Sequence, residues 1–336
     1  MMNKTHYCRP LGRSLLSLAL AFGYVVAIQN TANAGTPNSL KQIRSELSAA
    51  VRLKSLPTET SPPTTEWTNL WITDFGAIAT GGGNSACWDA AQASSVLPTC
   101  VYGDWSAKRT LVLTGDSQAW MWEPAFDKWG QASGWKVIVL TKSACQPWLD
   151  SQQEYVNGSA FPACRVFQSE VRMYINKTRP SVVVAEGSVP VIPNTSVPRV
   201  KTDVASFVSS IAASDARVLI VDPSTSFYAY DYTTHSTLTS PTCLSTHPQQ
   251  AGICNGVSQK LLLNYFMNSV LNNSQLPGKS RLLKLNQLLC DAKCPMIVNG
   301  ILVYIDGDHV SYDWAVHVSS ALSEILAPDL KGLSHQ

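Results

Sequence analysis

The chain has 336 residues, 45% hydrophobic and 14% charged, which is enough apolar material for one sizeable core and too much for a disordered protein. The 25 Lys and Arg nearly balance the 23 Asp and Glu for a net charge of +2, and the basic residues are scattered, so composition makes no case for a nucleic-acid partner.

The N-terminus has the three parts of an export signal. Lys4, Arg9 and Arg13 give a basic start, Leu15 to Ile28 is an apolar stretch short for a membrane span, and Ala32-Asn33-Ala34 offers a small-x-small cleavage site. Residues 1–34 are therefore expected to be a signal peptide, with the mature chain beginning near Gly35 and carrying no transmembrane segment. The expected location is periplasmic or secreted.

Residues 35–66 are rich in Ser, Thr and Pro and read as a linker or N-terminal extension, with one helical patch near Leu40 to Leu53. Residues 67–108 are aromatic, glycine-bearing and cysteine-bearing, a lead-in expected to pack on the core. Gly81-Gly82-Gly83 lacks the Lys-Ser/Thr and the strand-to-helix context of a phosphate loop.

From Thr110 the apolar pattern alternates between strand and helix. Strands are predicted at Thr110–Thr114, Lys136–Thr141, Ser181–Ala185, Arg217–Val221 and Arg281–Leu285, all rich in Val, Ile and Leu as doubly covered parallel strands require. Between them, Ala119, Trp122, Phe126 and Trp129 form one helical stripe, and Val200, Val204, Phe207, Val208 and Ile211 another; a third helix is predicted from Gln259 to Leu271. This order predicts a three-layer α/β/α sandwich with about five parallel strands over residues 109–330. Near its end Asn299-Gly300, between Met296-Ile297-Val298 and Ile301-Leu302-Val303-Tyr304, predicts a tight hairpin, and Ala315 to Leu326 a closing helix.

Cysteine usage agrees with export. Of nine cysteines, Cys8 falls in the signal segment and leaves eight, an even number that reads as disulfides in an exported protein. Sequence order pairs them locally: Cys87 with Cys100, Cys145 with Cys164, Cys243 with Cys254, and Cys290 with Cys294. The last spacing resembles half a zinc site, but no second close Cys/His pair accompanies it, and no metal or cofactor is expected.

Two short motifs carry the chemistry. Gly115-Asp116-Ser117 stands at the end of the first apolar strand and opens a helix, and Asp306 lies three residues before His309. A serine hydroxyl is a poor nucleophile at neutral pH. It needs a neutral imidazole to take its proton and a carboxylate to hold that imidazole in the right tautomer. Asp308 competes with Asp306 for the last role, but an acid adjacent to the histidine points elsewhere on most backbones. Asp116 reads as a turn residue bonding nearby N–H groups. His317 reads as a helix-surface histidine, and His235 and His247 as loop histidines.

These blocks resemble the SGNH (GDSL-type) hydrolases, which place a serine block first and an Asp-x-x-His block last. The similarity extends through Leu111 to Pro124, Trp135 to Pro147 with its Lys142-Ser143-Ala144-Cys145-Gln146-Pro147, and Leu289-Cys290 through Cys294-Pro295 to His309-Val310-Ser311. These stretches look like the SGNH domains fused to membrane acyltransferase-3 proteins, and the similarity covers about residues 85–327. The resemblance implies Ser117 as nucleophile, His309 as general base and Asp306 as orienting acid. It implies an esterase or O-acyltransferase acting on acyl, chiefly O-acetyl, esters of a cell-envelope or extracellular glycan, with a membrane acyl donor as a possible partner. The glycine and asparagine that complete the family's oxyanion hole are missing: Lys142-Ser143-Ala144 and Glu186-Gly187-Ser188 stand in those blocks. The backbone N–H of Ser117 is then the first oxyanion donor, with Ser143 and Ser188 as further candidates.

Two rival readings share these residues. Gly115 to Ala119 approximates the Gly-x-Ser-x-Gly elbow of α/β-hydrolases, but here the serine follows the first core strand and the acid and base share one loop. The altered middle blocks and the ten Trp and eleven Tyr also fit a non-catalytic, carbohydrate-binding or envelope-interaction protein on the same fold.

Overall fold

A computed structural model describes residues 38–70, 97, 100–148, 155–156, 159–187, 197–222, 229–231, 236–257, 278–307 and 309–333. The predicted signal peptide, Cys87, the helix expected at Gln259–Leu271, Ser188, His235 and Asp308 lie outside them.

Six strands form the central sheet: β1 (Cys100–Gly103), β2 (Thr110–Gly115), β3 (Lys136–Thr141), β4 (Val182–Glu186), β5 (Arg217–Val221) and β6 (Ser280–Leu283). Their spatial order is β1-β3-β2-β4-β5-β6. The five strands read from the sequence all run parallel, and β1 is added antiparallel on the β3 edge, with Cys100 opposite Val139 and Gly103 opposite Lys136. The sheet thus has one strand more than expected. Taken alone, the parallel strands follow the doubly wound order 2-1-3-4-5, which reverses between β2 and β4.

Side chains of these strands alternate between two cores, as a period of two demands. Leu111, Leu113, Val137, Val139, Val182, Val184, Leu219 and Val221 enter one core. Val112, Ile138, Leu140, Val183, Ala185, Val218 and Ile220 enter the other. On the second face lie α4 (Pro162–Thr178), through Phe167, Val171 and Ile175, and α5 (Val197–Ser210), through Val204, Phe207 and Val208. The first face is covered by α1 (Leu40–Ala50), α2 (Ser117–Trp120), α3 (Glu123–Ser133), α7 (Tyr312–Val318) and α8 (Leu322–Leu330). With helices on both faces, the protein is an α/β sandwich.

Three segments differ from the expected pattern. The stripe from Ala119 to Trp129 is buried throughout but belongs to two helices, because Pro124 starts α3 afresh in its first turn and Gly134 ends it in the left-handed region. The stretch expected as linker or N-terminal extension is built into the first core, where α1 buries Ile43 and Leu47 completely. The closing helix is broken by a tight turn at Ser319–Ala321 into α7 and α8.

Disulfides join Cys145 to Cys164, Cys243 to Cys254 and Cys290 to Cys294, as sequence order proposed. Cys100 is also disulfide-bonded. Such bonds persist in oxidising compartments. Among the described residues, no helix is long and apolar enough to cross a membrane.

Candidate active site

At the carboxyl end of β2 the chain turns sharply into α2. Gly115 has φ 148°, and a Cβ on it would stand 1.7 Å from the carbonyl oxygen of Glu186 in the neighbouring β4, so only glycine fits. Asp116 then caps α2: its Oδ1 accepts the N–H of Gln118 at 2.9 Å. This is the turn role expected of Asp116, and it leaves Ser117 half-buried at the first position of the helix. Ser117 therefore stands beside the β2/β4 reversal in strand order, where open α/β sheets bind ligands.

The histidine arrives by a different route. Ile297–Val298 (β7) and Ile301–Leu302 (β8) pair antiparallel around Asn299-Gly300, whose φ values of 51° and 81° are those of the predicted hairpin turn. The chain then folds back again, with Tyr304 bridged to Val310 and the N–H of Ile305 bonded to the carbonyl of His309. In this loop the Asp306 carboxylate is bidentate. Oδ1 accepts the main-chain N–H of His309 at 2.8 Å, and Oδ2 lies 2.8 Å from Nδ1 of its ring.

His309 Nε2 lies 2.8 Å from Ser117 Oγ. With Asp306 accepting from Nδ1, Nε2 is left as the acceptor for the serine proton. The next residue ties the two segments together, because the N–H of Val310 points at the sulfur of buried Met121, just past α2. Ser117, His309 and Asp306 thus form one hydrogen-bonded chain, with the His309 side chain 10% exposed and that of Asp306 15%.

Ser143 lies half-buried in the turn after β3, where Ala144 takes the left-handed conformation (φ 55°) that a glycine ordinarily supplies. Among the described residues Ser143 makes no hydrogen bond to Ser117 or His309. His247 ends the short helix α6 (Ser240–Thr246). His317 is no free surface histidine: its Nε2 is 2.8 Å from Glu46 of α1, and its ring stacks on Trp314.

Three groups at the strand ends were not anticipated. Lys142 is fully buried, its ammonium 5.4 Å from the centre of the Phe161 ring. Burial pushes the Glu186 carboxyl well above the usual carboxylate range. Asp222, following β5, is raised by burial from 3.8 to about 6, even though its Oδ1 accepts the N–H groups of Leu285 and Asn286 at 2.7 and 3.3 Å. A signal existed for both acids, since each ends or follows an apolar strand on the edge where ligands gather.

Residues 86–324 match the sequence profile of the SGNH domain (fused to AT3 domains). The chain belongs to the SGNH family. It is an SGNH-type enzyme. The periplasmic domain of the lipopolysaccharide acetyltransferase of Salmonella ser. Paratyphi A superposes with a TM-score of 0.56 at 13% identity, over 80% of this chain and 98% of that one. TesA aligns at 14% identity over 67% of this chain and 100% of its own (TM-score 0.38). A GDSL-like lipase from Bacteroides thetaiotaomicron VPI-5482 aligns at 12% identity over 66% and 90% (TM-score 0.38). Comparison with curated protein sequences returns no match.

Proposed function

We propose that this SGNH protein is an exported serine esterase or O-acyltransferase that acts on acyl esters, chiefly O-acetyl groups, of a cell-envelope or extracellular glycan. The observation that carries the reading is the continuous chain from Ser117 Oγ through the His309 ring to the Asp306 carboxylate, each contact 2.8 Å long. His309 takes the serine proton as Oγ attacks the acyl carbonyl, and Asp306 stabilises the imidazolium that forms. The tetrahedral oxyanion develops at the start of α2, where the Ser117 N–H serves as donor, with Ser143 and Ser188 as additional candidates. Collapse expels the sugar alkoxide, protonated by His309, and leaves an acyl-enzyme on Ser117.

Two nucleophiles can resolve that intermediate. Water gives an esterase; in a transferase the acyl group reaches Ser117 from a membrane partner's acyl donor, whose leaving group departs protonated by His309, and a sugar hydroxyl then takes the acyl group as His309 accepts its proton. Hydrolysis is the first reading because Ser117 is only half-buried and water needs no acceptor site. The disulfides, and the periplasmic setting of the Salmonella domain, support an oxidising, exported location.

The test is release of acetate from 4-nitrophenyl acetate and from an O-acetylated polysaccharide, alongside transfer of labelled acetyl groups to the deacetylated polysaccharide. Ser117-dependent release or transfer supports the reading. Equal rates for the wild type and Ser117→Ala in both assays would leave a non-catalytic glycan-binding protein on this fold.

A further inference from the structure

Glu186 ends β4 directly beside Gly115, the residue from which the nucleophile turn departs. Along β4, Val182 and Val184 enter the core beneath α2 and α3, while Val183 and Ala185 enter the opposite one. Strand alternation therefore sends the Glu186 side chain under α2 and α3. It is fully buried, and neither carboxyl oxygen has a hydrogen-bond partner among the described residues.

The groups facing it are unfavourable to a charge. Asp116 faces it from the β2–α2 turn and Asp222 from the end of β5, both acids. From the start of α3 the Trp122 indole N–H comes near enough to favour the anion without forming a hydrogen bond to it. No cation among the described residues stands against it. An isolated carboxylate in such a place is costly, and the group avoids that cost by keeping its proton.

We propose that Glu186 is a positioning residue that works as an uncharged carboxylic acid: packed under the nucleophile turn, it sets no second negative charge against the Asp116 cap of α2 and so holds Ser117 in line with His309. Burial, with Asp116 and Asp222 adding to it, pushes the Glu186 carboxyl upward, which agrees with this geometry. Ionised, Glu186 would repel the carboxylate that accepts the Gln118 N–H, and the first turn of α2 would lose its fixed start. The proposal rests on the serine mechanism given above.

Glu186→Gln and Glu186→Met, both uncharged and of similar length, are compared with the wild type in two measurements. In the first, urea unfolding is followed against pH. The unfolded chain releases the Glu186 proton above the ordinary carboxylate range while the folded chain keeps it, so the wild type loses stability as pH rises and the variants escape that loss. The expected result is a stability advantage of Glu186→Gln over the wild type that grows from acid to alkaline pH. In the second, turnover of 4-nitrophenyl acetate is followed against pH. The variants should keep kcat within about threefold near neutrality, and the alkaline fall of kcat should move upward by at least about one pH unit with KM unchanged.

A stability difference that does not change with pH, alkaline limbs that superimpose, or failure of both variants to fold would each overturn the proposal. Ser117→Ala is run beside them. If wild-type turnover does not depend on Ser117, the serine mechanism fails, while the unfolding data still report whether Glu186 is neutral. If turnover depends on Ser117 and the pH effects are missing, only the role of Glu186 fails.

Discussion

His309 Nε2 and Ser117 Oγ lie 2.8 Å apart although 192 residues separate them in the chain. Each partner is fixed by local chemistry before they meet. Gly115 and the Asp116 cap set the serine, and the bidentate Asp306 sets the ring. Burial of Met121 beneath the N–H of Val310 joins the two segments in one core.

Asp306→Asn keeps an oxygen acceptor for the main-chain N–H of His309 but turns its N–H₂ donor towards Nδ1, favouring the unproductive tautomer. Ester turnover should fall by about 10⁴-fold, as loss of the orienting acid does in serine hydrolases generally. The urea midpoint should scarcely move. A loss of less than about tenfold would mean that Asp306 does not orient the base.

Gly115→Ala puts a methyl carbon where the Glu186 carbonyl oxygen stands, at a separation of 1.7 Å and a φ of 148°. Since β2 and β4 are paired at this point, neither backbone can yield alone. The variant should lose at least about 3 kcal/mol of stability or fail to accumulate as soluble protein. Urea unfolding of any soluble fraction measures it.

Asp222 makes stability depend on pH. Its folded value of about 6 lies above the ordinary 3.8, so the folded state holds a proton that the unfolded chain gives up. Its contribution is therefore fully present below about pH 4 and is lost as pH rises through about 6, by about 3 kcal/mol at 1.4 kcal/mol per unit. Asp222→Asn, which still offers an oxygen to Leu285 and Asn286, should escape this loss. Its stability relative to the wild type should rise between pH 4 and 7; parallel curves would contradict the assignment.

The disulfide between Cys145 and Cys164 closes 19 residues and ties the turn after β3 to the first turn of α4. Both sulfurs are buried. Replacing the pair by serine should cost about 3 kcal/mol from loop-closure entropy, with more for the buried hydroxyls left behind. Unfolding of oxidised wild type against the double variant measures it.

Much of this architecture is legible in the sequence because parallel strands covered on both faces are continuous runs of Val, Ile and Leu. Lys136–Thr141 and Arg217–Val221 have the predicted bounds. Strand β1, Cys-Val-Tyr-Gly, carries no such run; it is a strand because the β3 edge offers it partners, a tertiary fact. The break between α2 and α3 was hidden because apolar residues keep their spacing across it, and only Pro124 marks it. Within the site, Ser117, Asp306 and His309 could be named because the two motifs occur together, one after the first core strand and the other before the last helix, as in the family they resemble. The burial of Glu186 was missed, since a carboxyl that ends a strand reads as solvated until the helices above it are in place.

The central claim is that Ser117 is activated by His309, and labelling with a fluorophosphonate tests it most directly, because such a probe reacts with an activated serine whatever the natural substrate. The account predicts one adduct, located on Ser117 by peptide mass spectrometry, absent from Ser117→Ala and formed at least about tenfold more slowly by His309→Ala. An unlabelled Ser117 in the folded wild type, or equal labelling of the wild type and His309→Ala, would contradict it.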